Sequence, residues 1–580
     1  MEYFEVANKL ARVISVLPNK IKIEVNDIER FKLESERFSV GTYLRVSDSE
    51  DCALICIIEN FSIQKTERGI NEYILEAMPI GFLDSDGTFT RGGNNIAIPP
   101  TDVEPAKMSE IQAIYEAVET EKRFCFSSLS QDSNIKVPVN GNKFFNKHIA
   151  VVGSTGSGKS HTVAKILQSA ISAREEDNDF QGLNNSHIVL FDIHSEYLTA
   201  FPQANYIDIN NLVLPYWLMN SEELQELFID TEANDHNQRN VFKEAVVLNK
   251  IKHNPTVNPK HITYDAPYKF SVNEVLIYIQ NKNNNRKNKS NKIVWKGIDD
   301  TEELVINQDN INLMFEHILE PASSASSNGP NYGDFLNFIS RMENKLNDER
   351  LAFLLRNKAE AIGFREAITQ FLGYDVKNGS ETNNHNMTII DLSGVPFEVL
   401  SITVSLISRL LFEYGYYFKK SFSNDTDKTP LLLVYEEAHK YVPKVQSARY
   451  NSCRVSIERI AKEGRKYGVS AMIVSQRPSE ISETIFSQCN NFIAMRLTNP
   501  DDQNYVKRLL PDNLGPLTDS LATLKEGEAI LIGDSIIMPS LVTIDKCEQT
   551  PSSNDINYLQ EWKKPWSQVD FEALESSWIN

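Results

Sequence analysis

Residues 153–160 read Gly-Ser-Thr-Gly-Ser-Gly-Lys-Ser, a full match to the phosphate-binding pattern G-x-x-x-x-G-K-[ST]. The flanks fix its context. His148-Ile149-Ala150-Val151-Val152 is a short apolar run of the kind a buried parallel strand carries, and 162–167 continues as a helix. A loop between strand and helix lets backbone N–H groups and the helix N-terminus cradle a polyphosphate. The expected cradle is Gly153, Ser154, Thr155, Gly156, Ser157, Gly158, Lys159, Ser160 and His161. Lys159 is expected to reach the β- and γ-phosphates of ATP, and Ser160 to ligate Mg²⁺ through its hydroxyl.

Transfer of a phosphoryl group also needs a metal-holding acid, a water-orienting group and a cation on the transition-state charge. Further apolar runs end in such residues. The run 187–192 ends in Asp192, and 387–391 ends in Asp391. Leu431-Leu432-Leu433-Val434-Tyr435 leads into Glu436-Glu437-Ala438-His439. In a parallel sheet the C-terminal ends of strands face the ligand crevice. Glu436 is therefore the candidate for the Mg²⁺ shell and Glu437 for polarising the attacking water. Val469-Ser470-Ala471-Met472-Ile473-Val474 ends in Ser475-Gln476-Arg477-Pro478, where Gln476 can sense the γ-phosphate or orient water. Upstream, Arg465 is either an arginine finger for a neighbouring subunit's ATP or a cap on helix carbonyls.

The remaining chain sorts into segments. Residues 1–98 hold short alternating strands, such as Ile21-Lys22-Ile23-Glu24-Val25, and suggest a small barrel or sandwich. Residues 99–143 look like a connector. The nucleotide core is split into 144–215 and 386–547 by an insertion, 216–385, with helical periodicity. Within the insertion, 281–292 is rich in Asn, Lys and Arg and reads as a solvated flexible loop, with a nucleic-acid contact as the alternative. The arm 548–580 carries Trp562, Trp566 and Trp578. They suit docking on another surface or packing back on their own domain, and the sequence does not decide.

At 580 residues the chain needs more than one core. Its net charge of −20 argues against coating nucleic acid with the whole surface, so DNA engagement would use a local basic surface such as a pore. No apolar run approaches the length needed to span a bilayer, and the first residues, Met1-Glu2-Tyr3-Phe4-Glu5, carry acids where a secretory signal carries bases. Six scattered cysteines suit buried free thiols in a reducing cytoplasm.

Together these motifs resemble the HerA family of HerA/FtsK-type ring ATPases. The matching stretches are Gly153 to Ser160, Asp192-Ile193-His194-Ser195-Glu196-Tyr197, Ile390-Asp391-Leu392-Ser393-Gly394, Tyr435-Glu436-Glu437-Ala438-His439, Glu463-Gly464-Arg465-Lys466-Tyr467-Gly468, Ser475-Gln476-Arg477-Pro478 and Gly527-Glu528-Ala529-Ile530-Leu531-Ile532-Gly533. The resemblance implies an α/β fold: a RecA-like parallel-sheet core with a helical insertion, plus an N-terminal small β-barrel. It implies a homo-hexamer with ATP sites between subunits and double-stranded DNA through a central channel. Lys159, Ser160, Glu436, Glu437 and Gln476 would belong to one subunit's site, Arg465 would come from the next, and Asp192 and Asp391 would lie near the nucleotide. Archaeal relatives pair with a NurA nuclease in DNA-end processing. Bacterial relatives often sit beside an effector, a sirtuin-like NAD hydrolase or a nuclease, in anti-phage defence. The sequence departs from the family's pattern at Glu436, where aspartate is usual, and at Lys147, where arginine is frequent.

The expected function is thus an ATP hydrolase of the DNA translocase or helicase type. The alternative is a nucleotide-gated scaffold that activates a partner effector without being a strong DNA motor. A DEAH-box helicase fits less well, because no second arginine-rich helicase motif follows Glu436-Glu437-Ala438-His439. A zinc site at His439 lacks further ligands at the required spacing.

Overall fold

The computed structural model describes residues 10–579 apart from 18–19, 35–38, 48–51, 66–68, 70, 93–100, 175–181, 230–235, 298–302, 357, 375–383, 423–428, 445–450, 510–514 and 553–555. Two kinds of strand build it, and their burial patterns differ for a physical reason.

In the N-terminal part, the first strands alternate, while Ala53 to Ile58 of Cys52–Lys65 is buried on both faces. In Lys20–Val25, the side chains of Ile21, Ile23 and Val25 are buried while Lys20, Lys22 and Glu24 reach solvent. Six antiparallel strands close into a barrel in the order Lys20–Val25, Ala11–Leu17, Asp102–Pro105, Tyr43–Ser47, Cys52–Lys65 and Asn71–Asp84, which pairs back to Lys20–Val25. Closure removes free edges. Asp102–Pro105 completes the circle although it lies in the stretch expected as a connector.

The larger sheet has ten strands. In chain order they are β1 (Ser127–Leu129), β2 (Ile149–Val152), β3 (His187–Asp192), β4 (Asn205–Ile207), β5 (Met387–Asp391), β6 (Leu431–Tyr435), β7 (Val469–Ser475), β8 (Asn491–Met495), β9 (Glu528–Gly533) and β10 (Ser540–Ile544). Their spatial order is β4-β5-β3-β6-β7-β2-β8-β9-β10-β1. The pairings from β4 to β8 are parallel, and those from β8 to β1 are antiparallel. Every residue of β2, β5, β6, β7 and β8 is buried. Helices cover both faces of such strands, so their sequences run apolar instead of alternating. The expected connector again contributes, because β1 forms the sheet's antiparallel edge.

α1 (Lys159–Ser172) follows the phosphate loop, and α2 (Phe397–Ser421) packs against α3 (Asn451–Glu463). The region between β4 and β5 is mostly helical, with Ser221–Phe228, His236–His253, Val272–Asn283 and Leu336–Asn347 as its longer helices. It is tied to α2 by Arg409, whose Nη2 donates to Glu223 Oε2 at 2.9 Å with Glu223 fully buried. Removing one partner of such a pair leaves a buried, uncompensated charge.

Two expectations change. The stretch 281–292 is not a loose loop: Asn281, Asn283 and Asn285 are buried, and Arg286–Lys287 pairs with Ser327–Asn328. The asparagine amides serve as internal struts, a role composition does not reveal. All six cysteines are free, but Cys125 is exposed and Cys52 and Cys547 are only partly buried. Among the described residues, no helix is long and apolar enough to cross a membrane.

Candidate nucleotide-binding site

The phosphate loop runs from the end of β2 to the start of α1. A Cβ at Gly153 would lie 2.5 Å from Ser157 Oγ and 2.9 Å from Met495 Cβ, so the tight turn admits no side chain there. Gly158 has φ +96°, a left-handed conformation that costs glycine nothing, and it starts α1 without a side-chain cap. The uncapped helix N-terminus favours an anion.

The loop is braced from the next strand. Ser154 N donates to Arg496 O at 2.7 Å, Arg496 Nη2 to Gly156 O at 3.2 Å, and Thr498 N to Ser154 Oγ at 3.0 Å. Arg496 was not among the residues expected from sequence. Its signal was available: it follows the apolar run of β8 just as Gln476 follows β7.

Three acidic side chains, Glu196, Glu436 and Glu437, converge on this loop from neighbouring strand ends. Lys159 is 6% exposed, and its ammonium makes only a long contact, 3.4 Å, to Ser154 O. Burial lowers its pKa, while Glu437, Glu436 and Glu196 oppose that shift. Ser160 Oγ donates to Glu196 Oε2 at 2.9 Å. Glu436 is buried and accepts from Tyr197 Oη at 3.3 Å. Burial and the adjacent Glu437 push its carboxyl pKa up.

Glu437 is also buried and sits at φ +47°, a strained position for a non-glycine residue. Burial would raise its pKa, but His439 and Lys159 outweigh that and hold it below the usual range. Gln476 Nε2 donates to Glu437 Oε1, and Thr155 Oγ1 donates to Gln476 Oε1 at 2.6 Å. Gln476 therefore links the phosphate loop to Glu437. His439 Nδ1 lies 3.2 Å from Glu437 Oε2 without hydrogen-bond alignment, which leaves that oxygen buried and without a donor.

Asp192, expected near the nucleotide, gives its carboxylate to backbone amides. Its carboxylate accepts His194 N at 3.1 Å and Tyr197 N at 3.0 Å, because both amides turn back toward the strand end. It thereby shapes the loop that carries Glu196 and Tyr197. Burial pushes its pKa up to about 6. Asp391, one strand over, accepts from Ser195 Oγ at 2.8 Å and from Tyr206 Oη.

His161 is exposed in the first turn of α1, and its carbonyl accepts from Cys547 Sγ at 3.1 Å. From Cys547 onward the chain is stitched to the site. Glu548 N donates to Gln168 Oε1 at 3.0 Å, and Ser552 N donates to Glu196 O at 2.8 Å.

Arg465 is not part of this constellation. It lies in the turn Gly464–Tyr467 that precedes β7, whereas Gln476 follows β7. Seven strand residues separate the two ends by about 20 Å. Arg465 is exposed and lines a cleft of about 1120 Å³ with Lys122, Arg123, Lys419 and Lys466.

The arrangement fits ATP with Mg²⁺. The turn at Gly153 is closed to a side chain, the Ser157 hydroxyl and Glu437 Oε2 are buried without a hydrogen bond, and a hydroxyl and two carboxylates stand where a metal shell would be held. Among the described residues no group of three or more His, Cys, Asp or Glu side chains is arranged to hold a metal by itself, so a metal here would also need Ser160 and the phosphates as ligands.

Comparison with known proteins agrees with this geometry. Residues 124–411 match the family described as Helicase HerA, central domain. The chain is 26% identical over 508 residues to the DNA double-strand break repair helicase HerA of Sulfolobus acidocaldarius, covering 85% of this chain and 82% of that protein. It is 27% identical over 476 residues to the protein of the same name from Saccharolobus solfataricus, covering 80% and 77%. Among solved structures, VirB4 of Thermoanaerobacter pseudethanolicus is similar with a TM-score of 0.47 and 11% identity, over 74% of this chain and 98% of that one. With its phosphate loop, paired glutamates and strand-end glutamine in one crevice, the chain is an ATP-hydrolysing helicase similar to the HerA family.

Proposed function

We propose that the chain is the motor subunit of a homo-hexameric ring in the cytoplasm that hydrolyses ATP to translocate on or unwind duplex DNA in its central channel. The observation that carries the reading is the separation of Arg465 from Lys159. One copy offers a cradle, a metal-side acid and a water-orienting acid at the C-terminal ends of the strands, and it presents an exposed arginine at the opposite end of β7. Stacking copies so that this end meets the next copy's crevice completes each site.

Bound ATP and Mg²⁺ supply the transferable phosphoryl group and the countercharge. Around them, Lys159 would hold phosphate charge, and Ser160, now bonded to Glu196, and Glu436 would hold the metal. Glu437 orients the attacking water through its free oxygen, and Gln476 reports loop occupancy to it through Thr155. Arg496 steadies the loop backbone.

The relatives carry out DNA double-strand break repair by name, which supports duplex DNA as the track. The ring would serve an effector, either a sirtuin-like NAD hydrolase or nuclease in anti-phage defence or a NurA-type nuclease in DNA-end processing. A nucleotide-gated scaffold for such an effector is the second reading. It is favoured by the net charge of −20 and by the exposed tryptophans of the C-terminal arm.

ATP hydrolysis with and without linear duplex DNA, with Lys159→Ala as blank, separates the two. A several-fold, Lys159-dependent rise with DNA supports the motor. A rate indifferent to DNA supports the scaffold and refutes the motor reading.

A further inference from the structure

We propose that the basic turn at 286–292 of the helical insertion is a contact site for the phosphate backbone of duplex DNA. The proposal rests on the DNA reading above and adds where the chain touches its track.

Residues 281–297 read Asn-Lys-Asn-Asn-Asn-Arg-Lys-Asn-Lys-Ser-Asn-Lys-Ile-Val-Trp-Lys-Gly, six bases without one acid in a chain of net charge −20. Lys282 is paired with Glu244 at 3.1 Å, and Lys296 lies 3.9 Å from Glu320. Lys287, Lys289 and Lys292 have no ion-pair partner among the described residues, and Lys289 and Lys292 are exposed. Elsewhere in this acidic protein, lysines commonly find a carboxylate, as Lys20, Lys136 and Lys252 do.

The turn is also built, which a merely solvating lysine run does not require. Asn288 Oδ1 accepts Ser290 N at 2.9 Å and Lys292 N at 3.2 Å, and Asn288 N donates to Lys292 O at 2.9 Å. Lys287 bridges to Ile293 across the turn, and Arg286–Lys287 pairs with Ser327–Asn328 on its other side. The base is pinned by buried amides. Asn281 Nδ2 donates to Met314 O at 3.0 Å and His317 O at 2.8 Å, and its Oδ1 accepts Leu319 N at 2.8 Å. Asn283 Oδ1 accepts Phe335 N at 2.8 Å.

Holding like charges together on an ordered turn without counter-charges among the described residues is unfavourable in the free protein. An occupant with regularly spaced negative charge relieves it, and the ordering is already in place before binding. Lysine ammoniums are point charges without the planar fork that reads base edges, so the recognised feature is the backbone and not the sequence.

The test is duplex-DNA binding by the full chain, followed by fluorescence anisotropy over a range of salt. Every lysine that no longer neutralises a phosphate flattens the slope of log affinity against log salt by about 0.9, so Lys287→Gln/Lys289→Gln/Lys292→Gln flattens it by about 2 to 3. A charge-matched control, Lys107→Gln/Lys260→Gln/Lys358→Gln, alters three exposed lysines elsewhere and keeps the parental slope. Basal ATP hydrolysis and unfolding temperature stay at parental values in both. An unchanged slope in the first variant, or an equal change in the control, overturns the proposal. A parent with no salt-dependent DNA binding overturns the DNA reading on which it stands.

Discussion

Ser160 Oγ is hydrogen-bonded to Glu196 Oε2 at 2.9 Å, so the hydroxyl expected to ligate Mg²⁺ is held by a carboxylate from the end of the next strand segment. Glu196 in turn takes its position from Asp192, which binds the amides of His194 and Tyr197. A carboxylate behind a metal-ligating hydroxyl tunes metal affinity. Glu196→Gln is expected to raise the Mg²⁺ concentration for half-maximal hydrolysis by about 10-fold. Mg²⁺ titrations at saturating ATP read this directly, and an unaltered midpoint refutes the role.

Gln476 is the only side chain that donates to Glu437 Oε1 among the described residues. Gln476→Ala leaves that buried oxygen without a donor and uncouples it from Thr155. Expected is a fall in kcat of about 100-fold with a much smaller change in KM for ATP. A loss confined to KM would mean that Gln476 only binds nucleotide.

Arg465 and Lys159 lie at opposite ends of two adjacent strands, β7 and β2, so each defect can be supplied by another copy. Arg465→Ala and Lys159→Ala proteins are each expected to be inactive alone. Mixed rings recover hydrolysis, because some interfaces join an intact Lys159 to an intact Arg465. Rings proven mixed by mass that stay inactive contradict a role in trans.

The C-terminal arm does not pack back on its own domain: Trp562 is 76% exposed, Trp566 94% and Trp578 84%. Its root is bonded to α1 and to Glu196, so a docked arm would pull on the nucleotide site. Truncation after Ser552 keeps the root and is expected to weaken ring assembly. Light scattering that returns the parental mass at low micromolar concentration counts against docking on a neighbour.

Burial pushes the Asp192 carboxyl to about 6, against an ordinary value of about 4. Between those values the folded chain holds a proton that the unfolded chain has released. Stability from this group is complete below pH of about 4 and is lost as pH rises through about 6. Asp192→Asn cannot titrate, so the unfolding temperature of the parent relative to the variant should fall across that window. Parallel curves would show that Asp192 does not titrate there.

Much of the core was legible because its signals are local. Gly153 to Ser160, the apolar strands and the polar residues at their ends are contiguous stretches, and period and composition report them without any partner. The alternating barrel strands were legible for the same reason. Barrel closure by Asp102–Pro105 and the edge strand Ser127–Leu129 were not, because a short strand is recognised by its neighbours and not by its own sequence. The buried asparagines at 281–285 misled a compositional reading, since an amide that satisfies internal carbonyls looks identical in sequence to one facing water.

The sequence by itself determined that this chain cradles a polyphosphate next to paired acids. The order of strands decided the rest: it set Gln476 between Thr155 and Glu437, placed Glu196 against Ser160 and put Arg465 at the far end of the strand beside the phosphate loop. Those relationships join residues tens to hundreds of positions apart, and only the packing of the sheet brings such positions within a hydrogen bond or keeps them a strand's length away.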